Sequence, residues 1–207
     1  GQGGHSLSLD ARDGGGQHGS IKLGGVTSYG GGNTFVYAED AGTKIDLSKL
    51  QAFDSGANGF SSLEVNSGGQ IDLAQLTSVV RATLRAQNAG TTFALPGLAT
   101  VDGLNLTATN GATLALPNVT GLSGVGNYGT NLQAYGGTIE LSAVTALRGA
   151  QNGNTLTLDA RDGGGLHGLI KLGNVISYAG GSTYVYAEDA GTVIDLSRLT
   201  SYFADQG

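Results

Sequence analysis

One short pattern recurs eight times along the 207 residues, and it constrains the fold more than any other feature of the chain. Each copy begins with a three-residue element of the form apolar-x-Ala, with Val in place of Ala in one copy. A glycine-containing segment follows, and then an apolar-x-Leu-x-x-apolar element. Copies of this second element begin 21 to 31 residues apart and read IKLGGV (21–26), IDLSKL (45–50), IDLAQL (71–76), FALPGL (93–98), LALPNV (114–119), IELSAV (139–144), IKLGNV (170–175) and IDLSRL (194–199). A short unit repeated at this spacing is typical of a solenoid.

Both elements alternate apolar and polar residues, which is the periodicity of a β-strand, and no useful stretch has the helical period. Identical positions recur copy after copy, so neighbouring copies should lie parallel and in register, unlike the hairpins of a β-sandwich. The sequence therefore predicts an all-β fold: a single-stranded parallel β-solenoid, or β-helix, running through residues 1–207 in about eight coils of 21–31 residues. We expect right-handed coils, because parallel crossovers almost always have that hand.

Equivalent residues of successive coils should form buried columns. The first contains Ile21, Ile45, Ile71, Phe93, Leu114, Ile139, Ile170 and Ile194; the second contains Leu23, Leu47, Leu73, Leu95, Leu116, Leu141, Leu172 and Leu196; the third contains Ala11, Ala38, Val65, Ala86, Ala108, Ala134, Ala160 and Ala187. Small residues in the third column indicate a narrow interior. Glycine lies between the two elements of every coil, which indicates a corner with positive φ.

A longer repeat contains the shorter one. Residues 6–53 recur at 155–202, where LDARDGGGQHGSIKLGGV (9–26) returns as LDARDGGGLHGLIKLGNV (158–175). The offset of 149 residues corresponds to a super-repeat of six coils. We therefore interpret the chain as one continuous segment of a longer array, or as a rod that self-associates end to end. In either case we expect bare terminal strands, whose unpaired edges join readily to further strands.

Charge and composition exclude several classes of partner. The formal net charge is −6 and the isoelectric point about 4.8, the wrong sign for nucleic acid or an anionic membrane surface. The sequence has no run of ~18 apolar residues, so we predict no membrane-spanning helix. Cys is absent, which excludes disulfides and thiolate metal sites, and the absence of Met removes the other readily oxidised side chain. These features suit an extracellular protein.

Charged residues at matching positions of adjacent coils should lie about 4.8 Å apart at the backbone. Opposite charges then form ladders on the outer surface. Exposed pairs contribute at most ~1 kcal/mol each, so their main value is in fixing the register. The predicted ladders are Arg12–Glu39, Glu64–Arg85, Arg161–Glu188, Lys22–Asp46 and Glu140–Lys171–Asp195.

Two stacked pairs of like charge depart from this pattern: Asp13 with Asp40, and their copies Asp162 with Asp189. Solvent or a neighbouring arginine would relieve the repulsion, and so would Ca²⁺ held together with backbone carbonyls. These four aspartates are therefore weak candidates for a calcium site, and no other cofactor is indicated. The same corner carries one histidine in each long repeat, which we interpret as a lone surface residue.

Two alternative functions remain open. Many parallel β-helices act on polysaccharides, and Asp10, Asp13, Glu39 and Asp40 could supply a pair of catalytic carboxylates. However, the same constellation recurs 149 residues later, no long loop builds a groove wall, and Trp is absent, so we do not expect an enzyme. The other alternative is ice binding, which needs a regular outward array of threonines. The best such column is incomplete: Thr27, Gln51, Thr77, Ala99, Thr120, Thr145, Ile176 and Thr200.

The units LTATNGATLALPNVTGL (106–122) and LQAYGGTIELSAVTAL (132–147) resemble the β-strand repeats of large bacterial surface proteins, which include adhesin-like solenoids and filament subunits. The resemblance extends over the whole chain, but its motifs consist mostly of Leu, Gly and Thr. It implies a secreted or surface-displayed fibre and transfers no functional residue. We therefore expect a structural or adhesive protein that forms a rigid rod at the cell surface, with further copies, surface glycans or other cells as partners.

Overall fold

The computed structural model describes residues 6–56, 61–123, 128–151 and 153–203. Within these ranges the chain is all-β and contains no helix. It forms a parallel β-solenoid of about seven turns, which confirms the predicted fold class. The ends of the predicted domain, 1–5 and 204–207, lie outside the described residues.

Each described coil contains three short strands, so the solenoid has three sides. In chain order the strands are β1 (Ser6–Ala11), β2 (Ser20–Lys22), β3 (Ser28–Gly30), β4 (Asn33–Glu39), β5 (Lys44–Asp46), β6 (Ala52–Asp54), β7 (Ser61–Asn66), β8 (Gln70–Asp72), β9 (Ser78–Val80), β10 (Ala82–Gln87), β11 (Thr92–Ala94), β12 (Thr100–Asp102), β13 (Asn105–Thr109), β14 (Thr113–Ala115), β15 (Gly121–Ser123), β16 (Thr130–Tyr135), β17 (Thr138–Glu140), β18 (Ala146–Arg148), β19 (Leu156–Arg161), β20 (Leu169–Lys171), β21 (Ser177–Ala179), β22 (Thr183–Ala187), β23 (Val193–Asp195) and β24 (Ser201–Phe203).

The strands form three sheets, one along each side of the solenoid. Sheet 1 is continuous, in the order β1-β4-β7-β10-β13-β16-β19-β22. Sheet 2 has two parts, β2-β5-β8 and β11-β14-β17-β20-β23, and sheet 3 likewise has β3-β6-β9 and β12-β15-β18-β21-β24. Neighbouring strands are parallel in all three sheets. We number the coils 1 to 8 by the strands of sheet 1, so coil 1 begins with β1 and coil 8 with β22.

The predicted core columns are confirmed. The alanine column pairs residue for residue along the whole of sheet 1. In sheet 2 the isoleucine column pairs from Ile21 to Ile71 in one part and from Phe93 to Ile194 in the other. In coils 2 to 7 the members of all three columns are 0 to 7% exposed. Burial of a Leu or Ile side chain to this extent contributes about 1.5–3 kcal/mol, which makes the columns the main source of stability.

The third strand of each coil is a feature that the repeat pattern did not predict. It places one apolar residue inward, three positions after the end of the apolar-x-Leu-x-x-apolar element. These residues form a further buried column, 1 to 8% exposed at Phe53, Val79, Val101, Leu122, Leu147 and Tyr178. Aromatic rings stack near both ends of this column, Tyr29 on Phe53 at 5.1 Å and Tyr178 on Tyr202 at 4.8 Å between ring centroids.

The Leu-x-x-apolar half of the repeat forms a β-turn between sheets 2 and 3. The Leu carbonyl accepts the N–H of the apolar residue three positions later, as between Leu47 and Leu50 at 2.9 Å. Pro96 and Pro117 occupy the second position of this turn in coils 4 and 5. Proline is favoured there because its φ is already fixed near −65°, and its missing N–H removes no ladder bond.

Sheets 2 and 3 are interrupted between coils 3 and 4, whereas sheet 1 is continuous. β8 ends one part of sheet 2 and β11 begins the other, and the same holds for β9 and β12 in sheet 3. The two coils still approach closely at Gly97, where a Cβ would lie 2.5 Å from the carbonyl oxygen of Leu76. The interruption therefore removes strand pairing from two sides of the solenoid without separating the coils.

Candidate functional site

The sequence DGGGxHG forms a small hairpin at the corner after sheet 1 in coils 1 and 7. In coil 1 the backbones of Gly14 and Gln17 exchange two hydrogen bonds, of 3.0 and 3.2 Å. Gly15 and Gly16 between them have φ of 60° and 80°, as in a type I′ turn, which favours glycine at both positions. The copy in coil 7 has the same hairpin, with corresponding φ of 61° and 76°.

The histidine after each hairpin contacts the aspartate before it. Nδ1 of His18 lies 2.7 Å from Oδ1 of Asp13, and Nδ1 of His167 lies 2.8 Å from Oδ1 of Asp162. The His18 ring also covers Gly42 of the next coil, where a Cβ would lie within 2.9 Å of three ring atoms. Both histidines are at the surface, as predicted, but they are not isolated. The Asp-x-x-x-x-His spacing, present in both copies, was the sequence signal for this aspartate–histidine contact.

Hydrogen bonds satisfy part of the charge on the stacked aspartates. Asp40 and Asp189 both have a φ of 76°, in the left-handed region that Asp tolerates better than most residues. The Asp189 carboxylate accepts the N–H of Asp162 at 3.0 Å, so the predicted neighbours do meet. Among the described residues, no three His, Asp or Glu side chains are grouped to hold a metal ion. Carboxylate oxygens are nevertheless the donors that Ca²⁺ takes, so calcium at Asp13, Asp40, Asp162 and Asp189 stays a prediction.

The charge ladders form largely as the sequence predicts. Ion pairs between adjacent coils join Arg12 to Glu39 at 3.7 Å, Arg161 to Glu188 at 3.1 Å and Lys171 to Glu140 at 2.7 Å. Lys22 and Asp46 are partners in the strand register. Asp72 follows Asp46 in the same column, and Lys44 forms a diagonal ion pair with it at 3.0 Å. These pairs are at least partly exposed, so they favour one register more than they stabilise the fold.

The carboxylates considered for catalysis have structural partners in sheet 1. Arg12 donates to Asp10 at 2.7 Å, and Asn66 donates to Glu39 at 2.8 Å. In the second copy Tyr135 donates to Asp159 at 2.9 Å, and Asp159 is only 5% exposed. Asp159 is therefore buried in sheet 1, whereas its copy Asp10 in coil 1 is exposed.

The column considered for ice binding lies at the corner that leads into sheet 3. Two of its hydroxyls donate to backbone carbonyls of the preceding coil, Thr77 to Gln51 at 3.2 Å and Thr200 to Ile176 at 3.1 Å. These hydroxyls therefore help to join the coils.

The first and last described coils expose apolar cross-sections. β1 and β22 end sheet 1, and each pairs with one neighbouring strand among the described residues. We call the two ends the N-terminal face (β1, β2 and β3) and the C-terminal face (β22, β23 and β24). A cavity of about 330 Å³ opens at the N-terminal face, lined by Leu7, Leu9, Leu23, Val26, Tyr29, Thr34, Val36, Leu47, Leu50 and Phe53. At the C-terminal face the exposed apolar residues include Val185 (49%), Val193 (46%), Tyr202 (67%) and Phe203 (69%).

A second cavity, of about 340 Å³, lies where sheet 3 is interrupted between β9 and β12. We call it the Arg81 cleft, and its lining residues are Thr77, Ser78, Val79, Val80, Arg81, Leu98, Thr100, Asp102, Gly103 and Tyr128. The repeat pattern does not predict this cleft. One signal was available: an arginine stands two positions after the inward residue of β9, where coils 1, 4, 5, 6 and 7 have glycine at the equivalent position.

Comparison with known proteins adds no name to this geometry. No protein-family model matches the chain, and neither the curated proteins nor the solved structures contain a significant match. In the part of the chain that the structure describes, no helix is long and apolar enough to cross a membrane. The two terminal faces and the Arg81 cleft are therefore the surfaces from which a function can be inferred.

Proposed function

We propose that this chain is a structural or adhesive segment of an extracellular fibre at the cell surface, in which coils continue to stack beyond the terminal faces. The observation that supports the proposal is the pair of open apolar ends on a continuous parallel sheet. Further repeats of a longer chain, or a second copy of this chain, would cover those ends. The acidic, cysteine-free composition suits such a location.

The main stabilisation of such a junction would come from apolar burial. In the interior coils each column residue is covered on both sides, and Val36 is 1% exposed. Its copy Val185 is 49% exposed at the C-terminal face, and the N-terminal face offers the apolar cavity described above. Each Val or Leu that becomes buried on stacking contributes about 1.5–3 kcal/mol, before the loss of rotational and translational freedom is counted.

The charges at the two faces are complementary in the register of the solenoid. If coil 8 of one molecule stacks on coil 1 of the next, Glu188 lies beside Arg12 and Asp195 beside Lys22. The first pair repeats the contact that Arg12 makes with Glu39 inside the chain. Like charges also meet at this junction, at Asp189 and Asp13, but the solenoid tolerates the same pairing internally. The exposed ion pairs would set the register more than the affinity.

Cysteine cross-linking tests this junction. Ser20 and Val193 belong to one outward-facing column of sheet 2, at opposite ends of the chain. At an in-register junction their Cα atoms would lie about 4.8 Å apart, within the range for a disulfide. Because the chain has no Cys, the double variant Ser20→Cys, Val193→Cys has no background. We expect a ladder of disulfide-linked oligomers on a non-reducing gel after mild oxidation.

The chain offers a matched control for this experiment. Leu169 lies in the same column as Val193, one coil further in, and pairs with it directly. The double variant Ser20→Cys, Leu169→Cys should therefore give no ladder, because its two cysteines remain one strand apart at the junction. A monomeric Ser20–Val193 variant, or equal ladders from both variants, would contradict in-register end-to-end association of this chain.

A further inference from the structure

We infer that the Arg81 cleft binds a neutral saccharide on the side of the solenoid. The inference rests on the adhesive part of the proposed function, to which it adds a ligand class. It does not require end-to-end association, because the cleft lies between coils 3 and 4, away from both terminal faces.

Arg81 has a backbone conformation that is costly for an arginine. Its φ is 55°, in the left-handed region, which costs a residue with a Cβ about 1–2 kcal/mol. The equivalent corner positions in coils 1, 4 and 7 hold Gly31, Gly103 and Gly180, all with positive φ. Glycine would fit this corner without strain. The arginine side chain must therefore contribute something that glycine at the same position does not.

The guanidinium of Arg81 joins distant parts of the chain at the rim of the cleft. Nη2 donates to Oδ1 of Asp54 in coil 2 at 3.0 Å, and Nη1 donates to the hydroxyl of Tyr128 at 2.8 Å. The guanidinium carbon also lies 5.1 Å from the centroid of the Tyr128 ring. Nε is buried and has no hydrogen-bond partner among the described residues. The unpartnered Nε and the positive φ of Arg81 both cost stability. The hydrogen bond from Nη1 holds the Tyr128 ring at the rim of the cleft.

The other walls of the cleft combine apolar and hydroxyl-bearing surface. Val80, which is 37% exposed, forms its accessible apolar part, above the buried Val79 and Leu98. Exposed hydroxyls and one carboxylate surround it, from Thr77, Ser78, Thr100 and Asp102. The cleft volume of about 340 Å³ is in the range of small-ligand sites. A pyranose ring presents apolar C–H groups on its faces and hydroxyls at its edge, so it matches both kinds of surface.

Tyr128 supplies the aromatic surface on which a sugar ring can pack. The residue is 41% exposed, and it reaches the rim because Gly103 makes room for it: a Cβ at Gly103 would lie 3.2 Å from the Cβ of Tyr128. Aromatic rings with one polar end bury apolar area at low entropic cost and are common in recognition sites.

The charge of the cleft favours a neutral ligand over an anion. The lining contains one cation, Arg81, and one carboxylate, Asp102, and Arg81 is paired with a second carboxylate, Asp54, outside the lining. Asp54 directly neutralises the guanidinium at 3.0 Å. A phosphate, sulfate or uronate would find this cation already paired, whereas the hydroxyls of a neutral sugar can donate to a carboxylate and accept from the hydroxyls of Ser78 and Thr100.

Saturation-transfer difference NMR on the full chain tests the inference, with maltose, cellobiose, lactose and N,N′-diacetylchitobiose as probes. We expect signals from at least one of these disaccharides. Tyr128→Ala and Arg81→Gly should each weaken its binding by at least about tenfold, as for residues that dominate a contact. Tyr184→Ala removes an exposed tyrosine in coil 8 and should leave binding unchanged. Glucuronate and inorganic sulfate, tested in parallel, should bind more weakly than the disaccharide.

The melting temperature separates recognition from structural support. Arg81→Gly relieves the strained φ, so its melting temperature should equal or exceed that of the wild type while binding is lost. A clear fall in melting temperature would assign Arg81 a structural role and overturn the inference. So would silence from all four disaccharides, unchanged binding in both cleft variants, or preference for sulfate or glucuronate. Saccharide binding that fails while the Ser20–Val193 ladder forms would refute this inference alone, and the opposite result would refute only the end-to-end proposal.

Discussion

Leu→Ala substitutions at two positions of one buried column, one in an inner coil and one in the first coil, would measure how open the N-terminal face is in solution. Leu106 in coil 5 is 0% exposed and lies in register between Leu84 and Leu132. Leu9 is the equivalent residue in coil 1, where it pairs with Val36 on one side and lines the open cavity on the other. The variants Leu106→Ala and Leu9→Ala therefore remove the same atoms from a closed and an open site.

The expected costs differ severalfold. Leu→Ala substitutions in closed cores cost about 2.7–5.0 kcal/mol, and the larger values occur where the surroundings cannot collapse into the cavity. The ladder bonds hold the leucines above and below Leu106 in place, so we expect about 4 kcal/mol there. Leu9 already borders open space, so its truncation creates no enclosed cavity and should cost about 1 kcal/mol. For a chain of this length these values correspond to falls in melting temperature of about 8–16 °C and 2–4 °C.

Urea and thermal denaturation, followed by circular dichroism at low protein concentration, would measure both costs. Dilution keeps the terminal faces apart, and the cost of Leu9→Ala should rise with protein concentration if the ends associate. Equal destabilisation by the two variants in dilute solution would contradict an open N-terminal face, because it would mean that coil 1 is already covered.

Three further predictions concern the core, the aspartate corners and acid. Ile71→Asp places a charge in the core beside sheet 2 and should abolish the β-type circular dichroism. An unchanged melting curve would show that the assigned columns are out of register. If Asp13 and Asp162 help to bind Ca²⁺, a chelator should lower the melting temperature of the wild type but not of a variant with Asn at both positions; an indifferent wild type would favour a solvated corner. The Gly56 N–H lowers the pKa of Asp54 below its ordinary 3.8, so the associated stability is complete above that value and is lost as the pH falls through the lower, folded-state pKa. Asp54→Asn should therefore lose less stability on acidification, and equal acid sensitivity would show that the Gly56 N–H bond to the Asp54 carboxylate does not stabilise the fold.

The repeat by itself determined the direction of stacking, the register and the isoleucine, leucine and alanine columns of the core. In-register parallel pairing requires equivalent residues to lie side by side, so the recurrence of Ile45 at Ile71 already specified which side chains meet. The same reasoning placed Arg161 beside Glu188 and Asp162 beside Asp189, and both contacts form. Whether Asp162 and Asp189 bind a metal could not be derived in this way, because a calcium site also depends on where carbonyl oxygens point.

Only the tertiary structure decided the third side of the solenoid and the Arg81 cleft. A single apolar residue between polar neighbours, such as Val101 in β12, is a weak strand signal in isolation; β15 of the next coil supplies its strand pairing, and the folded core covers its side chain. The cleft depends on a break in sheet 3 between β9 and β12, and no residue pattern in the sequence predicts that break. Arg81 and Tyr128 are 47 residues apart in the chain. They meet because the stacking of coils brings residues that are distant in sequence together on one side of the solenoid.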